Sequence, residues 1–281
     1  MVRWLAAAIL LAPANQVLAS QALASPALSS PALSAEPVSY PPPGMSDAPC
    51  PASRDGLWAL DERVLKNDWA WLCRFREDNA KVDPKHPPAS VFIGDSITEN
   101  WQAADPGWFA PDRLNRGLSG QTSPQMLVRF YQDVVALHPR VVHIMAGTND
   151  IAGNTGPTSP GAYQNAVRAM VDLARANHIA VILGSIPPAD RFGWLPGSAP
   201  AARIAQLNAW LKDYAKAERL VYADYHTALA GPRGELPAAY GPDGVHPNAA
   251  GYALMRPVAE QALANAEKLA RKLQRTVKKV R

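Results

Sequence analysis

Four short polar stretches hold residue types that can perform acyl transfer: "GDSIT" at 94–98, "NRGLSGQT" at 115–122, "GTND" at 147–150 and "DGVHPN" at 243–248. Attack by a serine on an ester carbonyl requires a base within hydrogen-bond reach, a group that orients the base, and donors for the developing oxyanion. Ser96 is the candidate nucleophile and His246 the candidate base, because neutral imidazole can take the serine proton near neutral pH. Asp243, three residues before His246, can reach the other ring nitrogen if the segment turns at Gly244. Pro247 biases His246 away from helical dihedrals and so keeps the imidazole on a loop.

Each stretch alone also has a plainer reading. Ser96 and Glu99 stand at the spacing of a capping box, Asn149 or Asp150 suits a helix cap, and Gly120 suits a turn. "PDGVHPN" reads as an ordinary turn into a helix. Position separates the two readings. Strand-like apolar runs occur at 90–93, 114–117, 141–145, 180–184 and 220–223, with helical patterns near 124–137, 161–177 and 201–218 and after Pro247. Such alternation predicts an α/β fold, a doubly wound, mostly parallel five-stranded sheet flanked by helices. Ligands bind at the carboxyl ends of such strands. "GDS", "SGQT" and "GTND" follow the first, second and third strands and so converge on one edge; "DGVHPN" comes after the fifth, just before the final helix, and its loop can return to the same edge.

In that order the blocks resemble the GDSL, or SGNH, hydrolase family over residues 88–265. The resemblance implies a flavodoxin-like fold and hydrolysis of carboxylic esters through an acyl-enzyme. Carried over by position, it implies Ser96 as nucleophile, His246 as base and Asp243 as its orienting partner. The oxyanion donors would be the Ser96 and Gly120 backbone N–H groups and the Asn149 side chain. No G-x-S-x-G elbow surrounds Ser96. Ser96 is therefore expected both to start a helix and to attack the substrate, since a helix N-terminus offers N–H groups to an oxyanion.

The remaining chain frames this domain. Residues 1–19 have an early arginine, a short apolar run and a small-residue site at Val17-Leu18-Ala19, the layout of a cleavable export signal. The apolar run is far short of the ~20 residues that span a bilayer, so a periplasmic or secreted protein without stable membrane insertion is expected. Residues 20–54 read as a Pro/Ala/Ser-rich linker, and 55–87 as a helical cover built on Leu57, Leu60, Val64, Trp71, Leu72 and Phe75. Residues 266–281 read as a basic helical extension with a solvated end. The formal charge is +4, but residues 268–281 hold seven of the 28 basic residues; the other 21 face 24 acidic ones, a net of −3. That body lacks the basic clusters of a nucleic-acid footprint. In an oxidising compartment the two cysteines, Cys50 and Cys73, are expected to form a structural disulfide. His143, inside an apolar strand, reads as a core residue; no metal spacing is present and no cofactor is expected.

Substrate choice should lie in the loops 152–161 and 186–202; the second carries Arg191, Phe192 and Trp194, residues suited to a wall for a sugar ring. Short Pro/Gly-rich rims without an apolar lid point to small acyl groups, such as acetyl, on carbohydrate. Lysophospholipase or thioesterase activity is the lipolytic alternative. A noncatalytic carbohydrate-binding protein on the same fold would not need a matched nucleophile and base. The oligomeric state is open.

Overall fold

A computed structural model describes Cys50 and residues 60–280, with side chains to residue 275. The expected export signal, the linker apart from Cys50, and residues 55–59 of the cover, Leu57 among them, lie outside the described residues. A helical cover, α1 (Glu62–Asn67) and α2 (Arg76–Ala80), precedes β1 (Ser90–Gly94), α3 (Ser96–Ala104), β2 (Arg113–Gly117) and α4 (Ser123–Asp133). A 3-10 turn at Val135–Leu137 leads to β3 (Val141–Met145), α5 (Thr148–Ala152), α6 (Pro160–Ala176) and β4 (Ala180–Gly184). The chain continues through α7 (Ala201–Ala217), β5 (Val221–Ala223), α8 (Tyr225–Leu229) and α9 (Ala249–Val280).

All five strands are parallel, in the order β2-β1-β3-β4-β5. Alternate side chains on a strand point to opposite faces, so each strand feeds two cores. Val91 and Ile93, Val142 and Ile144, and Val181 and Leu183 belong to the core that includes residues of α4, α6 and α7. Phe92, Val141, Met145 and Ile182 belong to the other, with residues of α3, α8 and α9. His143 is fully buried there, stacked 4.5 Å from Phe92 and 2.9 Å from the Tyr225 hydroxyl through Nε2. Burial pushes its pKa down to about 3, so it packs as a neutral ring.

α9 runs without a break at 265, and Ala266 and Ala270 are buried in the second core. Alanines at that spacing let the helix lie close to its neighbours, so the packed region continues well into the stretch read as an extension. The described part of the cover contains two short helices, α1 and α2. Its Val64, Trp71 and Phe75 pack with Leu118, just past the end of β2. Cys50 and Cys73 are joined by a disulfide, with Cα atoms 5.5 Å apart.

Candidate active site

β1 ends at Gly94 and the chain passes directly into α3 with Ser96 as its first residue. The cap is Asp95, whose Oδ1 accepts from the Ile97 N–H at 2.9 Å. The expected Ser96–Glu99 capping box is not formed, because Glu99 turns to Ser119 and accepts from its N–H at 2.7 Å and from its hydroxyl. That contact ties α3 to the loop after β2. Gly117 permits the approach, since a Cβ there would strike the backbone of Glu99. Asn115 adds a second tie, donating to Thr98 O at 2.6 Å and accepting from the Gly117 N–H at 2.8 Å.

Freed from capping, the Ser96 hydroxyl meets His246 Nε2 at 2.8 Å. His246 Nδ1 lies 2.6 Å from Asp243 Oδ2, and Asp243 Oδ1 accepts the backbone N–H groups of Val245 and His246 at 2.9 and 2.8 Å. Gly244 (φ 80°) makes the turn that lets one carboxylate hold both the ring and its own backbone. Burial alone would raise the Asp243 carboxyl, but the hydrogen bonds from His246 and Val245 outweigh it and keep the group below the ordinary range. A lasting carboxylate on Nδ1 places the ring proton there and leaves Nε2 free to accept from the serine.

The cleft, about 410 Å³, is lined by Leu60, Ser96, Asn100, Ser119, Gly120, Asn149, Asn154, Trp194 and His246. The Ser96 N–H belongs to the first turn of α3 and has no intrahelical acceptor. Gly120 sits at φ 84°, where a side chain would be strained. The Asn149 amide donates to Gln121 O at 3.1 Å and accepts from Asn154 Nδ2 at 2.7 Å. Asp150, next in the chain, does not cap α5; it accepts from the Ser123 N–H and hydroxyl and joins the starts of α5 and α4. Burial pushes both Asp95 and Asp150 up to about 6, against the hydrogen bonds that they accept.

The rim loop divides its three expected residues. Trp194 is exposed and lines the cleft, with its ring 6.4 Å from that of His246. Phe192 is instead buried beneath it, the two rings stacked 5.0 Å apart, so it supports the wall without forming its surface. Arg191 also stays outside the cleft: its charge pairs with Asp190 at 3.5 Å in a separate depression shared with Arg233, Glu235 and Gly244. Residues that sequence reasoning did not single out supply much of the framework. Gln121 is held by Arg129 at 2.6 Å and donates to Ala70 O at 2.8 Å, and Arg129 is fully buried with Asp133. Leu60, read in the sequence only as part of the cover, also reaches the cleft. Arg129 and Asp133 form an i,i+4 pair, but the Gln121–Ala70 link crosses 51 residues and leaves no local pattern to read.

A model of the GDSL-like Lipase/Acylhydrolase family matches residues 92–254. The chain is 42% identical to a solved Bacteroides fragilis protein described as an acylhydrolase, covering 71% of this chain and 99% of that one, with a TM-score of 0.68. A GDSL-like lipase from Bacteroides thetaiotaomicron is 38% identical over 70% of this chain and 98% of its own, with a TM-score of 0.67. An acetylxylan esterase from Geobacillus stearothermophilus shares the fold at 22% identity, over 64% of this chain and 96% of its own, with a TM-score of 0.51. Comparison with curated proteins finds no match.

Proposed function

Because the chain belongs to the GDSL-like Lipase/Acylhydrolase family and is a carboxylic ester hydrolase, we propose that it is an exported serine esterase that removes short acyl groups, acetyl above all, from carbohydrate. The observation that carries the mechanism is the unbroken chain Ser96–His246–Asp243, with contacts of 2.8 and 2.6 Å. Ser96 Oγ attacks the ester carbonyl while its proton passes to His246 Nε2. The resulting oxyanion takes hydrogen bonds from the Ser96 and Gly120 N–H groups and from Asn149. Collapse breaks the bond to the alcohol, which leaves with the proton from His246. Water, deprotonated by the same imidazole, then releases the carboxylic acid and restores Ser96.

Support for a carbohydrate ester comes from the cleft itself. In its volume of about 410 Å³ the polar side chains Asn100, Ser119 and Asn154 stand among a mainly apolar surface that includes Leu60 and the exposed face of Trp194. Amide and hydroxyl groups beside an aromatic ring suit the hydroxyls and the apolar face of a sugar. Support for export comes from the sequence of residues 1–19 and from the Cys50–Cys73 bridge, which persists in oxidising compartments. The deciding experiment compares wild type and Ser96→Ala on aryl esters from acetyl to palmitoyl, on acetylated oligosaccharide and on a lysophospholipid. The proposal expects specificity constants that peak between acetyl and butyryl, activity on the oligosaccharide, and near-complete loss in the variant. A steady rise to palmitoyl, with lysophospholipid preferred, would establish a lipolytic enzyme instead.

A further inference from the structure

Trp194, Asn154 and Asn149 form a line of hydrogen bonds whose direction is fixed at both ends. Trp194 Nε1 lies 3.2 Å from Asn154 Oδ1, Asn154 Nδ2 lies 2.7 Å from Asn149 Oδ1, and Asn149 Nδ2 lies 3.1 Å from Gln121 O. An indole N–H can only donate and a backbone carbonyl can only accept. The amide atom of Asn154 that meets the indole must therefore be its oxygen, which turns its NH2 toward Asn149. That NH2 in turn requires the Asn149 oxygen, leaving the Asn149 NH2 toward Gln121 and the cleft. One of its two hydrogens binds Gln121 O, and the other remains for a substrate. The Asn154 backbone adds a brace, its N–H donating to Asn149 O at 3.1 Å.

We propose that Asn154 is a positioning residue for the Asn149 oxyanion donor, and that the Trp194 N–H sets the orientation of Asn154. The proposal rests on the assignment of Asn149 to the oxyanion hole. Its chemical content is the choice between two amide faces: turned over, Asn149 would present a carbonyl oxygen to a developing negative charge, which repels rather than stabilises it. Trp194 then has two separable functions. Its ring forms a wall of the cleft, and its N–H acts through Asn154 on the transition state. A substrate ring resting on Trp194 would hold the indole in place and so strengthen the line.

The test uses the full-length mature protein with an aryl acetate, measuring kcat and KM separately and following thermal unfolding. Asn154→Ala should lower kcat about 10-fold or more with KM changed less than about twofold, because the donor is needed chiefly in the transition state. Asn154→Asp should be worse, since a carboxylate cannot donate to Asn149 Oδ1 and instead attracts the Asn149 NH2. Asn154→Gln, which keeps the amide, should recover part of the loss. Trp194→Phe, which keeps a ring and removes only the donor, should lower kcat about threefold. In an Asn149→Ala background, Asn154→Ala should cost almost nothing further, because the group that it positions is gone. The proposal is overturned if Asn149→Ala is impaired while both Asn154→Ala and Trp194→Phe turn over like wild type. It is equally overturned if Asn154→Ala costs the same with and without Asn149, which marks a general loop effect. A fully active Asn149→Ala variant removes the oxyanion assignment itself, and the proposal with it. Should Asn154→Ala fail to fold, Trp194→Phe alone decides through the same comparison in the Asn149→Ala background.

Discussion

Replacing Asp243 by Asn should harm the enzyme more than replacing it by Ala, the reverse of the order expected if similarity of shape decided. Oδ1 of Asp243 accepts two backbone N–H groups, at 2.9 and 2.8 Å, while Oδ2 faces His246 Nδ1 at 2.6 Å. In Asp243→Asn the amide oxygen must stay on the two N–H groups, since turning it over would set its NH2 against both donors and leave them unmet at a cost of about 1–3 kcal/mol. The amide NH2 then faces Nδ1, which must accept. The ring proton moves to Nε2, where it faces Ser96 Oγ and can no longer receive the serine proton. A wrong tautomer of this kind costs about 10,000-fold in kcat, or about 5 kcal/mol of barrier. Asp243→Ala imposes no tautomer. The Asp243 side chain is 52% exposed, so water can take the vacated place, and a smaller loss than that of the Asn variant is expected. Initial rates on an aryl acetate would give kcat for both variants, with thermal unfolding as a control for folding. An Asn variant as active as the Ala variant would refute the reasoning, because the two backbone donors would then not dictate the amide's direction.

Other consequences can be checked alongside. Burial holds Asp95 near about 6, against the Ile97 N–H that it accepts, so its contribution to stability is greatest below the unfolded carboxyl pKa and is lost as pH rises through 6. Asp95→Asn keeps a capping oxygen but cannot ionise, so its stability relative to wild type should improve by about 2 kcal/mol between pH 4 and 7; a difference that does not vary with pH in chemical denaturation would count against the raised pKa. Cys50 and Cys73 are 23 residues apart, and by the loop-entropy model their double change to Ser should cost about 3 kcal/mol of stability while ester hydrolysis persists at moderate temperature. Mass analysis of the nonreduced protein should find the pair joined, and two alkylatable thiols in the oxidised native protein would contradict the bridge. Trp194→Ala removes wall and donor together, so it should lower activity on acetylated oligosaccharide by more than on an aryl acetate; equal losses would leave the ring without a sugar-binding function.

The strands were readable because parallel strands covered on both faces need continuous apolar runs, and "VVHIM" and "AVILG" are such runs. β2, "RLNRG", lacks one; it lies at the sheet edge, where the Arg113 and Arg116 side chains reach partners outside the sheet. Three of the four blocks were readable because each sits at a strand's carboxyl end; "DGVHPN" lies beyond α8 and was readable by its Asp-x-x-His spacing before a helix. What stayed hidden was the choice among equivalent local options. Asp95 and Ser96 are both good capping residues, and only the distant partners Ser119 and His246 decide that Asp95 caps. Loop composition likewise did not say which of Arg191, Phe192 and Trp194 would face the cleft, since that depends on what lies beneath the loop. Asn154 was invisible for the same reason: one Asn in a Gly-rich loop acquires meaning only through the indole 40 residues later.

Leu60 makes the cleft a composite of two kinds of sequence. It lines the same space as Ser96 and His246, yet it lies outside residues 92–254, in the loop that the Cys50–Cys73 bridge closes. A substitution at position 60 would therefore reshape the cleft without touching the hydrogen bonds that join Ser96, His246 and Asp243. Position 60 is the separable part: the same loop holds Ala70 and Trp71, which brace Gln121 and Leu118, so new acyl or alcohol preferences are open to a change at Leu60 and not to exchange of the whole segment.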